Sequence, residues 1–229
     1  MGYEIELQNI SIPEYKEMLK KQNLMAGRRI LKEDIDNRFG MFFKYGINNV
    51  AKLYERIRDP QKMEEFSAET GLSPDYLLLL KKEVSSVIQK PVLIADFPYI
   101  SPDTFKKLGE YCIQTSKDFF ELSNGGRDVR AVCDKTGIPG EDAAELCCLC
   151  ELIRINGVGP VFSRVLFEAG YKSAGEIAAA TADEIYDRAT EINALKCYTR
   201  VLLNQQEIQL CIDYAKLLVG GGELFEDQK

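Results

Sequence analysis

The sequence predicts an all-α protein assembled from tandem, degenerate helical units. Three observations predict it. Helix start and stop signals are dense, whereas strand signals are scarce. Between those signals apolar residues fall three and four apart, as at Ile177, Ile185, Leu202, Leu203, Leu210, Tyr214 and Leu217. The chain also aligns with itself. Shifted by 66 positions, residues 35–87 run without a gap onto a second stretch, pairing Phe39 with Phe105, Tyr45 with Tyr111, Glu55 with Glu121 and Thr70-Gly71 with Thr136-Gly137. Shifted by 58, the second stretch meets a third, pairing Pro102 with Pro160, Leu108 with Leu166 and Cys112-Ile113 with Gly170-Tyr171.

These offsets divide the chain into a helical segment over 1–34 and units over 35–90, 91–153 and 154–229, the last ending in a helix and a short acidic tail. In the first segment Ser11-x-x-Glu14 has the spacing of a capping box, in which the hydroxyl and the acid each satisfy a backbone N–H. The run from Lys20 to Lys32 follows, carrying Lys20, Lys21, Arg28, Arg29 and Lys32 with no acid among them. In the unit 35–90, Phe39, Phe42, Phe43 and Tyr45 form an aromatic cluster read as core. Core packing is preferred to base stacking, because stacking calls for interleaved cations and only Lys44 is present. Thr70-Gly71 reads as a helix stop in a left-handed conformation, and Ser73-Pro74 reopens a helix with proline at its first position. Pro91 and Pro98 bracket the best linker candidate, because each disfavours helix at the preceding residue. The unit 91–153 repeats this grammar through Ser101-Pro102 and Thr136-Gly137. In the last unit Ser173-x-x-Glu176, Thr181-x-x-Glu184 and Asn204-x-x-Glu207 each have capping-box spacing.

Composition narrows the function. Of 229 residues 45% are hydrophobic and 28% charged, as in a soluble globular protein. Histidine and tryptophan are absent, which removes the commonest general base and the commonest zinc ligand. The net charge of −7 argues against broad DNA binding. It is uneven: residues 1–90 hold 15 Lys and Arg against 14 Asp and Glu, and residues 91–229 hold 14 against 22. A polyanion site would therefore favour the N-terminal third. Seven scattered cysteines, an odd number, read as reduced thiols. The acidic start MGYEIELQN lacks an apolar leader core, and Tyr76–Leu80 is too short to span a bilayer. The expected location is the cytoplasm, with no membrane partner.

The stretch from Arg154 to Gly170 resembles the helix-hairpin-helix consensus: apolar positions, then Gly157-Val158-Gly159, then a helix with the small Ser163 at its fourth position. The chain as a whole resembles an uncharacterised helix-hairpin-helix family, domain of unknown function 4332 (DUF4332). The likeness rests on a capped N-terminal helix, the link from Lys90-Pro91 to Ile100, the Gly-x-Gly-Pro hairpin, and the tail from Tyr198 to Ala215. It implies a fold of tandem degenerate helix-hairpin-helix units over nearly the whole chain. It implies no established activity and supplies no catalytic residues.

Two readings of the hairpin compete. Gly157 and Gly159 would let backbone N–H groups at a helix start approach an anion. The residues for such nucleic-acid or anion contact are Gly157, Val158, Gly159, Arg154 and Arg164, joined by Arg28 and Arg29 of the basic run. Against it, Pro160, Val161 and Phe162 stand where a DNA grip would place cations, and the matching places Tyr99-Ile100-Ser101 and Glu33-Asp34-Ile35 lack glycines. A structural turn is the preferred reading. It expects Val158 to tuck between helices, Gly159→Val to destabilise, and Arg164→Ala to be tolerated.

Cys147 and Cys150 share a helix face, but no second pair or histidine completes a zinc site. They read as small buried hydrophobes, with a thiol, redox or small-molecule function as a lesser alternative. No Ser/His or Cys/His pairing and no Walker loop is present. The expected function is non-enzymatic binding of a protein partner, without metal or cofactor. Nucleic-acid binding through the hairpin is the runner-up.

Overall fold

The structure, a computed structural model, describes residues 2–201 and 204–220. Leu202, Leu203 and the acidic tail over 221–229 lie outside the described residues. Among those described, regular structure is helical throughout, and strand pairing is limited to two isolated bridges. The chain forms two compact units. One comprises Ile5–Ile88; the other comprises residues 2–4 with Gln89–Val219. The boundary falls at the start of the stretch bracketed by Pro91 and Pro98. No compact-unit boundary falls at 34/35 or 153/154: residues 5–34 belong with 35–88, and 91–153 with 154–219.

In the first unit α1 (Ile12–Lys21) opens with the expected capping box. The Ser11 N–H donates to Glu14 at 2.8 Å, and the Glu14 N–H donates to the Ser11 hydroxyl at 3.3 Å. After a 3₁₀ turn over Ala26–Lys32 come α2 (Ile35–Lys44), α3 (Val50–Ile57), α4 (Pro60–Thr70) and α5 (Pro74–Ser86). Asn49, Asp59 and Ser73 cap the last three. The N–H of Ile12 donates to the Asn48 carbonyl and that of Val50 to the Ile10 carbonyl, which ties the start of α1 to the start of α3.

Ile35, Phe39 and Phe42 recur at helical spacing and are buried. Phe39 and Phe42 pack at 5.2 Å between ring centroids, and Phe42 meets Phe66 of α4 at 6.1 Å. Phe43 and Tyr45 depart from the sequence expectation: both sit off the 35/39/42 stripe, and both are exposed.

In the second unit a 3₁₀ turn over Ile94–Asp96 leads to α6 (Pro102–Glu110), α7 (Ser116–Leu122), α8 (Val129–Thr136) and α9 (Gly140–Leu152). Then follow α10 (Pro160–Glu168), α11 (Ala174–Ala179), α12 (Ala182–Lys196) and α13 (Gln205–Gly220). Ile94, Leu108, Phe119, Val132, Leu146, Leu149 and Cys150 form a fully buried core. Each such aliphatic or aromatic side chain contributes about 1.5–3 kcal/mol by leaving water. Tyr3 joins this unit. Its hydroxyl lies 2.6 Å from the Ser116 hydroxyl, and its ring meets Phe120 edge-on at 5.4 Å.

Helix boundaries recur at the offsets seen in the sequence. Shifted by 66, α5 coincides with α9, and α2 and α3 each match their counterparts α6 and α7 to within one residue. Shifted by 58, α6 coincides with α10. Special backbone positions recur too. Gly46, Cys112 and Gly170 all have positive φ, at 71°, 58° and 98°. Gly71 and Gly137 are both left-handed helix stops, at 73° and 68°.

The Thr181 and Asn204 boxes form as expected. At Ser173 the hydroxyl accepts from the Glu176 N–H, but the Glu176 carboxylate takes the N–H of Lys172 instead of that of Ser173. A box not anticipated, Thr115 with Asp118, opens α7. Aspartate is a shorter acid than the motif's usual glutamate or glutamine, yet it reaches back to the Thr115 N–H at 2.8 Å.

Candidate binding site at the glycine turn

The turn begins where α9 runs out. Ile153 and Ile155 are fully buried and pull the chain inward, and Val158 follows them into the core. The Val158 N–H donates to the Ile155 carbonyl at 3.0 Å, and its own carbonyl accepts from the Gln89 amide at 3.2 Å. The two glycines differ. Gly157 has φ of 90°, and a Cβ added there would lie 3.0 Å from the Cys211 sulfur. Gly159 has φ of −91°, which any residue adopts, and a Cβ there would meet nothing within 4 Å. The expected penalty for Gly159→Val therefore has no basis in backbone angle or space. The glycine that the turn requires is Gly157.

Gly159 is the N-cap of α10, and Pro160 occupies the first turn. No side chain caps this helix. Ser163, fully buried, donates to the Pro160 carbonyl at 2.8 Å.

The two arginines of the turn are interior residues. Arg154 is 2% exposed. Its Nε donates to the Tyr3 carbonyl at 2.9 Å, Nη2 to the Gly2 carbonyl at 2.9 Å, and Nη1 to the Glu151 carboxylate. Its guanidinium also lies over the Phe120 ring, 4.4 Å from the centroid. Arg164 is likewise 2% exposed. Its Nε and Nη2 donate to the Pro98 carbonyl at 3.1 and 2.8 Å, and Nη2 reaches Glu145 at 2.6 Å. Tolerance of Arg164→Ala is therefore not expected from this structure, since the change would leave the Pro98 carbonyl and the Glu145 carboxylate without their charged donor. Sequence reasoning placed both cations beside the turn correctly, and missed that they point inward.

In the first unit Arg28 pairs with the buried carboxylate of Glu83 at 2.8 Å. Lys32 donates to the Lys20 carbonyl, which closes the end of α1, and Lys20 pairs with Asp36 at 2.8 Å. Arg29 is exposed. The basic run is thus partly spent on the fold.

Burial pushes the Cys147 thiol up to about 11 and the Cys211 thiol up to about 12, and it holds Cys150 well above the ordinary thiol value. Such thiols are poor nucleophiles near neutral pH. Among the described residues, no group of three or more Cys, Asp or Glu is arranged to hold a metal ion. Nor is any helix long and apolar enough to cross a membrane.

The structure also holds a second turn, at a place set aside as a DNA grip for want of glycines. Tyr99 has φ of 64°, Ile100 packs on the core, and Ser101 caps α6. These three occupy the places of Gly157, Val158 and Gly159 before their respective helices. The turn forms there without glycine, ahead of Pro102, which the 58-residue offset aligns with Pro160.

The family described as domain of unknown function (DUF4332) matches residues 98–218, from the second turn into α13. No curated protein and no solved structure matches the chain.

Proposed function

We propose that this chain, which belongs to the DUF4332 family, is a non-enzymatic helical scaffold that binds a protein partner. One observation carries the reading: the Arg154 and Arg164 side chains, on which phosphate contact at the glycine turn depended, are buried and hydrogen-bonded within their own unit. A turn whose cations serve the fold offers little to a polyanion. Exposed apolar side chains favour protein contact instead. Leu93, Tyr99, Phe105, Tyr111, Leu195 and Val201 of the second unit all face solvent. Free thiols at all seven cysteines support a reducing, cytoplasmic setting.

The test pairs two measurements on the full chain. Affinity purification from the native cell should recover a protein in constant ratio to the chain, unchanged by nuclease. Titration with duplex DNA near physiological salt should show no binding at micromolar concentration. Duplex binding in that range, weakened by added salt and with no protein recovered, would replace this reading with the nucleic-acid one.

A further inference from the structure

Residues 2–4 sit on the second unit as a short bound peptide would. One side chain enters: Tyr3 is buried, and Gly2 and Glu4 on either side of it are exposed. The Tyr3 ring stands edge-on to Phe120 at 5.4 Å. Its hydroxyl lies 2.6 Å from that of Ser116, which also accepts the Val92 N–H at 3.0 Å. Arg154 takes the backbone, donating to the Tyr3 and Gly2 carbonyls at 2.9 Å each. Its remaining Nη pairs with Glu151, so its charge is matched locally and it offers the segment donors for neutral carbonyls. At the rim Lys117 meets the Glu4 carboxylate at 2.9 Å. Other acids lie near Lys117: Asp118 accepts the Gln114 and Thr115 N–H groups, and Glu121, one turn on, is exposed. Selection therefore falls on the tyrosine and the carbonyls. All of these partners belong to the second unit, whereas from Ile5 the chain belongs to the first. Ser116 lies 113 positions from Tyr3, and Arg154 lies 151. Without the segment, Nε and Nη2 of a buried guanidinium would lose their acceptors, so the seat calls for an occupant.

We propose that Ser116, Phe120 and Arg154 form a binding site for a short tyrosine-bearing segment of the protein partner, and that Gly2-Tyr3-Glu4 is the chain's own stand-in for it. The seated segment shows the chemistry the site takes: one aromatic anchor with a hydroxyl, and two successive backbone carbonyls. An aromatic ring in a desolvated pocket carries most of the affinity in short-segment recognition. Exposure of Gly2 and Glu4 leaves room for a longer segment to enter and leave. The chain's own segment competes at the millimolar effective concentration of a tethered ligand, so it guards the site against weak peptides. The proposal rests on the scaffold reading and names the chemistry of its partner.

The experiment is amide-resolved NMR of the full chain, titrated with the end-blocked peptide Gly-Tyr-Glu-Ile and with its analogue Gly-Phe-Glu-Ile. In Tyr3→Ala, which vacates the pocket, the tyrosine peptide should move the signals of Ser116, Phe120 and Arg154. It should bind about fivefold more tightly than the phenylalanine peptide, the scale of one hydrogen bond. In the wild-type chain it should bind about tenfold more weakly than in Tyr3→Ala, as a tethered competitor at ~1 mM imposes on a peptide of ~0.1 mM affinity. Excess peptide should also shift the Tyr3 signal of the wild-type chain as its own segment leaves, a measurement that needs no variant. Shifts confined to other residues, equal binding of the two peptides, or an undisturbed Tyr3 signal at saturating peptide would each overturn the site. A native partner captured by the wild-type chain should be released by excess tyrosine peptide. Its retention would overturn the site while leaving the scaffold reading intact. Capture of no protein would count against the scaffold reading itself, and the peptide titrations would still decide the site.

Discussion

The turns Tyr99-Ile100-Ser101 and Gly157-Val158-Gly159 pass through the same conformations: a left-handed residue, an inward apolar residue, and a helix N-cap. They differ in what surrounds the first residue. At Gly157 the Cys211 sulfur stands 3.0 Å from where a Cβ would lie, and at Tyr99 the side chain runs into solvent. Glycine is therefore demanded by crowding added to backbone angle. Backbone angle alone is a cost that an exposed tyrosine bears, about 1–2 kcal/mol. The comparison separates a turn that serves packing from one that displays a side chain.

The largest effect is expected at the residue that joins the two turns. Arg164 follows the Gly157 turn and donates twice to the carbonyl just before the Tyr99 turn. Arg164→Ala should destabilise the second unit by about 3 kcal/mol, because Glu145 and the Pro98 carbonyl lose a charged donor. Denaturant unfolding would measure it. A loss below about 1 kcal/mol would show that the turns hold their shape independently.

The second effect separates the glycines. Gly157→Ala should cost about 2 kcal/mol, from positive φ and from pressing Cys211 aside. Gly159→Ser should be neutral or slightly stabilising, since Ser101 caps α6 from the matching place, and serine is a better N-cap than a residue without a side-chain acceptor. Equal losses at the two positions would break the distinction drawn here between crowding and capping.

These turns also show what the sequence could convey. Helix boundaries were legible, because caps and prolines act within a few residues of where they are read: Ser11, Ser73, Ser101 and Thr181 cap as expected. Self-alignment paired positions 66 residues apart, and at that offset α5 and α9 have the same boundaries. Side-chain direction was not legible. Arg154 finds its acceptors at Gly2 and Tyr3, more than 150 residues away. No local pattern announces such a partner. Nor did the aromatic cluster reveal which rings would leave the core, because that depends on where α4 packs against α2; Phe39 and Phe42 entered it and Phe43 and Tyr45 did not. At the turns, sequence weighed both glycines alike, and it takes the positive φ of Gly157 and the Cys211 sulfur beside it to tell them apart.

The smallest expected effect tests whether display costs stability. Tyr99 and Cys112 are exposed residues at positive φ, in places where their counterparts are Gly157 and Gly170. Replacing either by glycine relieves the left-handed strain, about 1–2 kcal/mol. It also frees the unfolded chain, a loss of about 0.5–1 kcal/mol. Cys112 has no ring contact to lose, so Cys112→Gly should stabilise by about 0.5–1 kcal/mol. Tyr99 gives up its contact with Tyr198, worth about 0.5–1.5 kcal/mol, so Tyr99→Gly should leave stability nearly unchanged. Unfolding of the two variants side by side measures the difference. A clear gain in Cys112→Gly with none in Tyr99→Gly is the pattern expected if the tyrosine pair offsets its own strain. Strong destabilisation by Tyr99→Gly would mean that the ring supports the fold, and the contrast between a packing turn and a displaying turn would fail.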